Sequence, residues 1–454
     1  MIELARESRL ERFLNLFTQV RAGEARTALL LALNVFLILM AYYILKTVRE
    51  ALILAEGTAE LKSYLSAGQV IVLAFVVPLY GRLVAAFPRI KLINVVTVFF
   101  ILCPVTFYVL GHFGVPLGMI YFVWIGIFSL MIVSQFWSFA NDVYTKEEGE
   151  RLLVIVGLGA SLGAVAGARV ADWLIEPFGV NQLMLLGAGV LGAELLLTNY
   201  IDRTERSRRF AAQAAKAASA PAAKARPPAQ NVFGMVFRTR YLLLMALMIL
   251  VINWINATGE YILGSIVKDH AAAMVADGTA AGLSEGQIIG DFYAKYFSLA
   301  NVAGLLLQLF VVSRIIKHRG VAWAVMVLPA ISFGVYNVLI FVPWLAAALA
   351  AKVAENSTDY SLNNTVRNML FLPCTYEEKF AAKQAIDSFF VRMGDVLSAA
   401  LVFVGTTMIA LPARGFAAVN AGLALVALFL AWRVGRYYRM KTTAVSSTAP
   451  PAAA

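Results

Sequence analysis

Lys46, Arg49 and Glu50 are three ionisable residues in apolar company. An uncharged run from Ala28 to Leu45 precedes them, and Ala51-Leu52-Ile53-Leu54-Ala55 follows. A charge at the centre of a membrane helix costs about +2.5 to +3.5 kcal/mol on insertion scales. A chain that keeps such residues has a use for them. Lys46 and Glu50 stand at i, i+4 and can neutralise each other. That leaves Arg49 as the cation best suited to meet an anion.

Asn253, Asn256 and Glu260 form a second constellation at i, i+3, i+7, which places them on one helix face. Glu260 and Lys46 each lie about 20 residues into an apolar stretch, at similar depth and with opposite charge emphasis. Both faces are then expected to point at a central cavity, with Arg49 facing Glu260. The plainer alternative puts both clusters at the outer membrane surface. A stretch of 28 residues spans about 42 Å at 1.5 Å per residue, longer than the hydrocarbon core. The apolar sequence after each cluster favours the cavity.

Other charges leave two readings open. Asp142, Glu147 and Glu148 close the fourth stretch. They suit a solvated loop, a gate ion pair with Arg151 or Arg367, or an acidic site. Lys383 and Asp387 stand at i, i+4, and Arg392 with Asp395 and Arg169 with Asp172 at i, i+3. Internal pairing competes with a binding role at each. The tenth stretch holds Glu355, Asn356, Asp359, Asn363, Asn364 and Arg367, so it is expected to line water.

The elements that carry these residues follow from composition. Of 454 residues, 61% are hydrophobic and 14% charged, and the mean hydropathy is +0.76. Soluble chains carry about 25% charged residues. This is an all-α polytopic membrane protein embedded in a lipid bilayer. Apolar stretches fall at 27–55, 64–87, 92–112, 115–140, 152–174 and 178–200. Six more fall at 241–267, 288–313, 321–342, 344–366, 382–411 and 413–436. Residues 1–26 form a cytoplasmic N-terminal segment without a cleavable signal, 201–240 a basic disordered linker, and 437–454 a disordered tail.

Lys and Arg concentrate in alternate loops, including Arg89 and Lys91, Lys146 and Arg151, and Arg314, Lys317 and Arg319. The opposite loops hold only single exceptions, Lys62, Lys268 and Arg414. This alternation predicts twelve transmembrane helices with both termini cytoplasmic. The 27–200 and 241–436 bundles then give the 6+6 major facilitator layout, with pseudo-twofold related halves. Short echoes agree, such as Thr145-Lys146-Glu147-Glu148 and Thr375-Tyr376-Glu377-Glu378. The +11 net charge reflects cytoplasmic loops and carries no nucleic-acid signal.

Several motifs read blandly. Gly159, Gly163 and Gly167 recur every four residues and make a smooth face for close helix packing, without a dinucleotide fingerprint. No Walker A sequence is present. His112, His270 and His318 are scattered and form no metal set, and Cys103 and Cys374 give no disulfide framework. No cofactor is expected, and no enzymatic activity.

The segment Tyr43-Ile44-Leu45-Lys46-Thr47-Val48-Arg49-Glu50 resembles the first helix of the ADP/ATP translocases of obligate intracellular bacteria and plastids, the nucleotide (NTP/NDP) transporter family. That family has a Lys-Asp pair where this chain has Arg49-Glu50. Phe136 to Asp142, Glu147-Glu148 and Gly157-Leu158-Gly159-Ala160 are similar to its helix 4 to helix 5 stretch. Ile255-Asn256-Ala257-Thr258-Gly259-Glu260 looks like its helix 7 acidic position. Tyr360-Ser361-Leu362, Arg367, Pro373, Glu378-Lys379 and Lys383 to Asp387 resemble its helix 10 to helix 11 signature.

The resemblance implies nucleotide transport. It implies roles for Arg49, for one of Asp142, Glu147 or Glu148, for Glu260, and for Lys383, with Arg367 an alternative in the late basic role. Lys46, Asn256 and Asp387 complete the expected substrate-binding set. The expected function is ATP/ADP-type exchange by alternating access in a bacterial inner membrane, by a monomer whose partner is an anionic small molecule. Another organic anion or solute, carried with or without protons, is the alternative.

Overall fold

Long apolar stretches with few helix breakers become long helices, because a lipid environment leaves every backbone polar group to be satisfied within its own segment. The computed structural model describes residues 20–21, 24–144, 146–216, 232–280, 282–374 and 386–448. No strand occurs among the described residues. The first six main helices are α1 (Ala25–Glu56), α2 (Ala59–Ala86), α3 (Arg89–His112), α4 (Gly118–Val143), α5 (Lys146–Phe178) and α6 (Val180–Lys216). A short helix, Val232–Arg238, precedes α7 (Arg240–Ala276), α8 (Glu285–Leu307), α9 (Val327–Phe341), α10 (Leu345–Thr358), α11 (Val391–Phe403) and α12 (Ala413–Thr448).

Among the described residues, eleven helical segments are long and apolar enough to cross a membrane. The remaining expected stretch, the tenth at 344–366, is helical but interrupted. After α10 comes a π-helical turn at Asp359–Asn363, then a further turn of helix at Asn364–Met369. Three similar π-helical turns lie at Gln308–Val312 after α8, and at Ile386–Phe390 and Val404–Met408 on either side of α11. Two helices outrun the boundaries expected from sequence. α6 continues to Lys216 because Asp202 to Lys216 holds only good or neutral helix formers, without Gly or Pro. α12 continues to Thr448, through residues expected to be disordered. Residues 1–19 and 217–231 lie outside the described set.

The chain divides into two compact units. The first comprises Met1–Glu56, Val72–Arg226 and Gly286–Ser298; the second comprises Gly57–Ile71, Pro227–Glu285 and Leu299–Ala454. The units do not follow the linker boundary alone. The start of α2 belongs with the second, and the start of α8 with the first.

In the first unit α1 is the central helix, with Ala28, Leu31, Val35, Ala41, Ile44, Leu45 and Val48 at 0% exposure. Gly159, Gly163 and Gly167 of α5 run along it. A Cβ on each would strike the backbone of Ala32, Phe36 and Met40 in turn. The four-residue repeat seen in sequence is therefore a backbone-to-backbone seam. Beside it an aromatic cluster fills the core, with Trp124 stacked on Phe128 at 5.4 Å.

In the second unit α7 is central. Asn420 of α12 donates to the Ile255 carbonyl at 3.0 Å, and Thr258 meets Ser398 of α11 at 3.0 Å. Tyr241 donates to the Leu370 carbonyl at 2.7 Å. These side chains tie α7 to its neighbours where packing alone would let them slide.

Candidate functional site

Charged side chains inside a bundle must find one another or water. In the second unit they find one another. Lys352 on α10 is 2% exposed and directs its ammonium at three acceptors. It reaches Glu355 at 2.7 Å, Asn256 Oδ1 at 2.8 Å and Glu260 at 3.5 Å. An ammonium carries three donors, so this set saturates it. Glu355, one turn along α10, is 4% exposed. It also accepts from Ser332 and Tyr336 of α9, both at 2.9 Å. Lys62 on α2, 6% exposed, completes the cluster at 3.5 Å from Glu260.

Two cations and two carboxylates make the cluster formally neutral. Its members are unequal. Lys352, Glu355 and Lys62 are buried, whereas Glu260 is 25% exposed, and its contacts to Lys352, Lys62 and Asn356 are all 3.5 Å long. Glu260 is therefore the member most readily displaced by another anion. Gly259 makes the arrangement possible. A Cβ there would collide with the Tyr336 hydroxyl and lie 3.2 Å from Lys352 Nζ.

The expected face of α7 is thus occupied as drawn for Asn256 and Glu260, which share Lys352. Asn253 turns instead to α11, donating to Asp395 at 2.9 Å and to the Val391 carbonyl at 2.6 Å. Arg392 reaches Asp395 at 3.3 Å, so that pair is an internal tie. Arg169 and Asp172 pair likewise at 3.1 Å.

In the first unit, Arg49 donates from Nε to Glu50 at 3.0 Å, and Glu50 is fully buried. The guanidinium carbon lies 4.9 Å from the Phe122 ring centroid. Lys46 lies over the Phe297 ring at 4.2 Å and near Tyr43 at 5.2 Å. A cation–aromatic contact stabilises such a charge by about 2 kcal/mol or more when desolvated. Arg151 closes its fork on Glu24, at 3.0 and 2.8 Å. Burial lifts the Glu24 carboxyl, but the Arg151 and Arg21 contacts outweigh it and hold the group below its ordinary value.

Arg367 and Glu148 are partly buried, in the turn after α10 and at the start of α5. Lys383 lies outside the described residues. Asp142, Glu147 and Asp387 fall on helical backbone, and their side chains lie outside the description.

Sequence reasoning missed Lys62, Lys352 and Tyr336 as site residues. Lys352 had a signal: it interrupts Leu345-Ala346-Ala347-Ala348-Leu349-Ala350-Ala351 and stands i, i+3 from Glu355. Lys62 also had one, as an exception among loops otherwise poor in basic residues.

The model of one protein family, described as TLC ATP/ADP transporter, matches residues 4–115 and 118–435. The chain is 23% identical over 339 residues to ADP,ATP carrier protein 1 of Chlamydia pneumoniae, covering 66% of this chain and 62% of that one. It is 23% identical over 373 residues to ADP,ATP carrier protein 2 of Chlamydia trachomatis serovar D, covering 70% of this chain and 64% of that one. It therefore spans under two thirds of the length of these curated relatives.

Among solved structures it resembles the nucleoside transporter NupG, with TM-score 0.64 and 11% identity, covering 90% of this chain and 98% of that one. A bacterial homologue of the iron transporter ferroportin gives TM-score 0.61 and 14% identity, covering 91% and 98%. At such identities the likeness establishes a shared fold alone.

Proposed function

The chain belongs to the TLC ATP/ADP transporter family, and on that footing we propose that it exchanges phosphate-bearing nucleotides across the bacterial inner membrane by alternating access. In this reading it works as a monomer, with both termini cytoplasmic and without catalysing a chemical reaction. The observation that carries it is the neutral cluster of Lys62, Glu260, Lys352 and Glu355. Two lysines buried inside a membrane bundle are held by one firmly bound carboxylate and one loosely bound carboxylate. A nucleotide phosphate offers the lysines charge-assisted hydrogen bonds of the same kind as Glu260 does. Phosphate and Glu260 then compete for the same ammonium groups.

This competition supports exchange over one-way flow. When a phosphate leaves, Glu260 returns to the lysines and closes the cluster, and the next nucleotide must displace it again. Arg49 and Lys46 are proposed to supply further positive charge to an anionic substrate in the first unit. Asn256 would hold Lys352 in place. The late basic role is proposed for Lys383 or Arg367, and an acidic role for Asp142, Glu147 or Glu148, with Asp387 four residues after Lys383 in sequence.

The test is uptake of labelled ADP and ATP into proteoliposomes holding purified protein. Uptake is expected only into vesicles preloaded with nucleotide. Glu260→Gln is expected to weaken that requirement, because the competing charge is gone. Failure of every nucleotide tested, both in uptake and in thermal stabilisation of the detergent-solubilised protein, would sink the reading. Uptake driven by a pH gradient into empty vesicles would favour a proton-coupled carrier of another anion.

A further inference from the structure

The first unit contains a buried acid for which nucleotide exchange has no use. Glu194 of α6 is 4% exposed and faces α1. Its Oε1 accepts from Thr198 at 2.6 Å and from Asn34 Nδ2 at 3.1 Å. Asn34, 1% exposed, also donates to Thr198 at 2.8 Å. Three polar atoms of this group have no partner among the described residues: Glu194 Oε2, Asn34 Oδ1 and Gln135 Nε2. All three residues line one cavity of about 10 Å³, together with Thr97, Thr198 and apolar side chains of α1, α3 and α4.

That volume is close to what one water needs, roughly 10 to 15 Å³. One water can take a hydrogen bond from Gln135 and give one to Asn34, and its third bond falls to Glu194. Both protonation states of Glu194 allow this, since the water donates to a carboxylate and accepts from a carboxylic acid. Hydrogen bonding therefore does not choose between them, and charge does. The groups facing Glu194 are Asn34 from α1, Thr97 from α3, Gln135 from α4 and Thr198 from its own helix, and none is titratable. An ionised Glu194 would be a lone anion in a membrane bundle, at a desolvation cost of several kcal/mol. Thr198 and Asn34, both uncharged donors, offset only part of that cost.

We propose that the Glu194 pocket is a proton-binding site, occupied when α1 and α6 are packed together and emptied when water reaches the seam between them. Proton binding then stabilises the packed arrangement of α1. That helix also carries Lys46 and Arg49, and Lys46 lies about 18 Å along it from Asn34 at 1.5 Å per residue. The site is distinct from the lysine cluster, which lies in the other unit, and its ligand is a proton.

Infrared spectroscopy of the purified protein tests the site without reference to transport. A protonated carboxylic acid C=O band is expected at neutral pH in the wild type and is expected to be lost in Glu194→Gln. Gln keeps the acceptor for Thr198 and Asn34, and melting temperature checks that the variant folds. If it does not fold, Asn34→Ala serves instead, and the band should shift in frequency. Spectra identical between the wild type and Glu194→Gln, or a band unmoved in Asn34→Ala, overturn the proposal. Because no nucleotide is needed, this result stands whether or not nucleotide exchange is observed.

Discussion

The two units solve the problem of helix contact in opposite ways. In the first, α1 and α5 meet backbone to backbone along Gly159, Gly163 and Gly167, with no room for a single added methyl. In the second, α7 and α10 meet through Lys352, Glu355, Asn256 and Glu260. All four described π-helical turns lie in that second unit. Glycine seams gain close van der Waals contact and fix helix distance. Ionic seams can exchange partners, because an ammonium accepts any oxygen of suitable charge. The contrast sets a close glycine contact in the first unit against an ionic contact in the second, and π turns often mark functional positions.

The comparison can be broken most forcefully at Lys352. Lys352→Met leaves Glu355 and Glu260 without their shared cation, and removing one member of a buried pair costs about 3–5 kcal/mol. A large drop in melting temperature and loss of nucleotide exchange are expected. The double variant Lys352→Met with Glu355→Gln removes the firm pair together. It should recover much of the stability and none of the exchange. Recovery of both would mean the cluster is scaffolding like the glycine seam.

Gly163→Ala probes the other side. Its methyl must displace the Phe36 backbone, and overpacking of this kind costs about 1–3 kcal/mol. Stability should fall while the nucleotide concentration needed for half-maximal uptake stays near the wild-type value. A changed concentration dependence with unchanged stability would show that the seam moves during transport.

Acidification should give the smallest effect, through Glu24. Its folded carboxyl is held below the unfolded value near 4.3. The stabilisation is thus present above that value and is lost as pH falls through the folded one. Melting temperature below about pH 4.5 should decline less steeply in Glu24→Gln than in the wild type. Equal slopes would remove Glu24–Arg151 from the account of the first unit.

The glycine seam was more legible in the sequence than the ionic cluster. The Gly159-Gly163-Gly167 spacing announced its seam, because a four-residue period maps directly onto one helix face. Hydropathy gave twelve stretches, of which eleven are long and apolar enough to cross a membrane among the described residues, and the tenth stood out as polar. Asn256 and Glu260 were placed on a shared face correctly. Their partners were not found, because Lys62 and Lys352 sit roughly 200 and 90 residues away in sequence, and helical periodicity says nothing about which helices become neighbours. The acid at 194 escaped notice for a related reason: within its own span it has no charged companion, so pattern reading offered nothing to pair it with.

The π-helical turn at Asp359–Asn363 has a consequence for the side on which the residues after α10 stand. One residue too many in a helix shifts the phase of everything beyond it, by about 100° at 3.6 residues per turn. The chain before the turn and the chain after it are two screws cut with different starting points. Lys352 and Glu355 sit on the first screw, pinned by Ser332 and Tyr336. Arg367 sits on the second. The turn therefore presents Arg367 on a different side of the helix from the one an unbroken α-helix would give it.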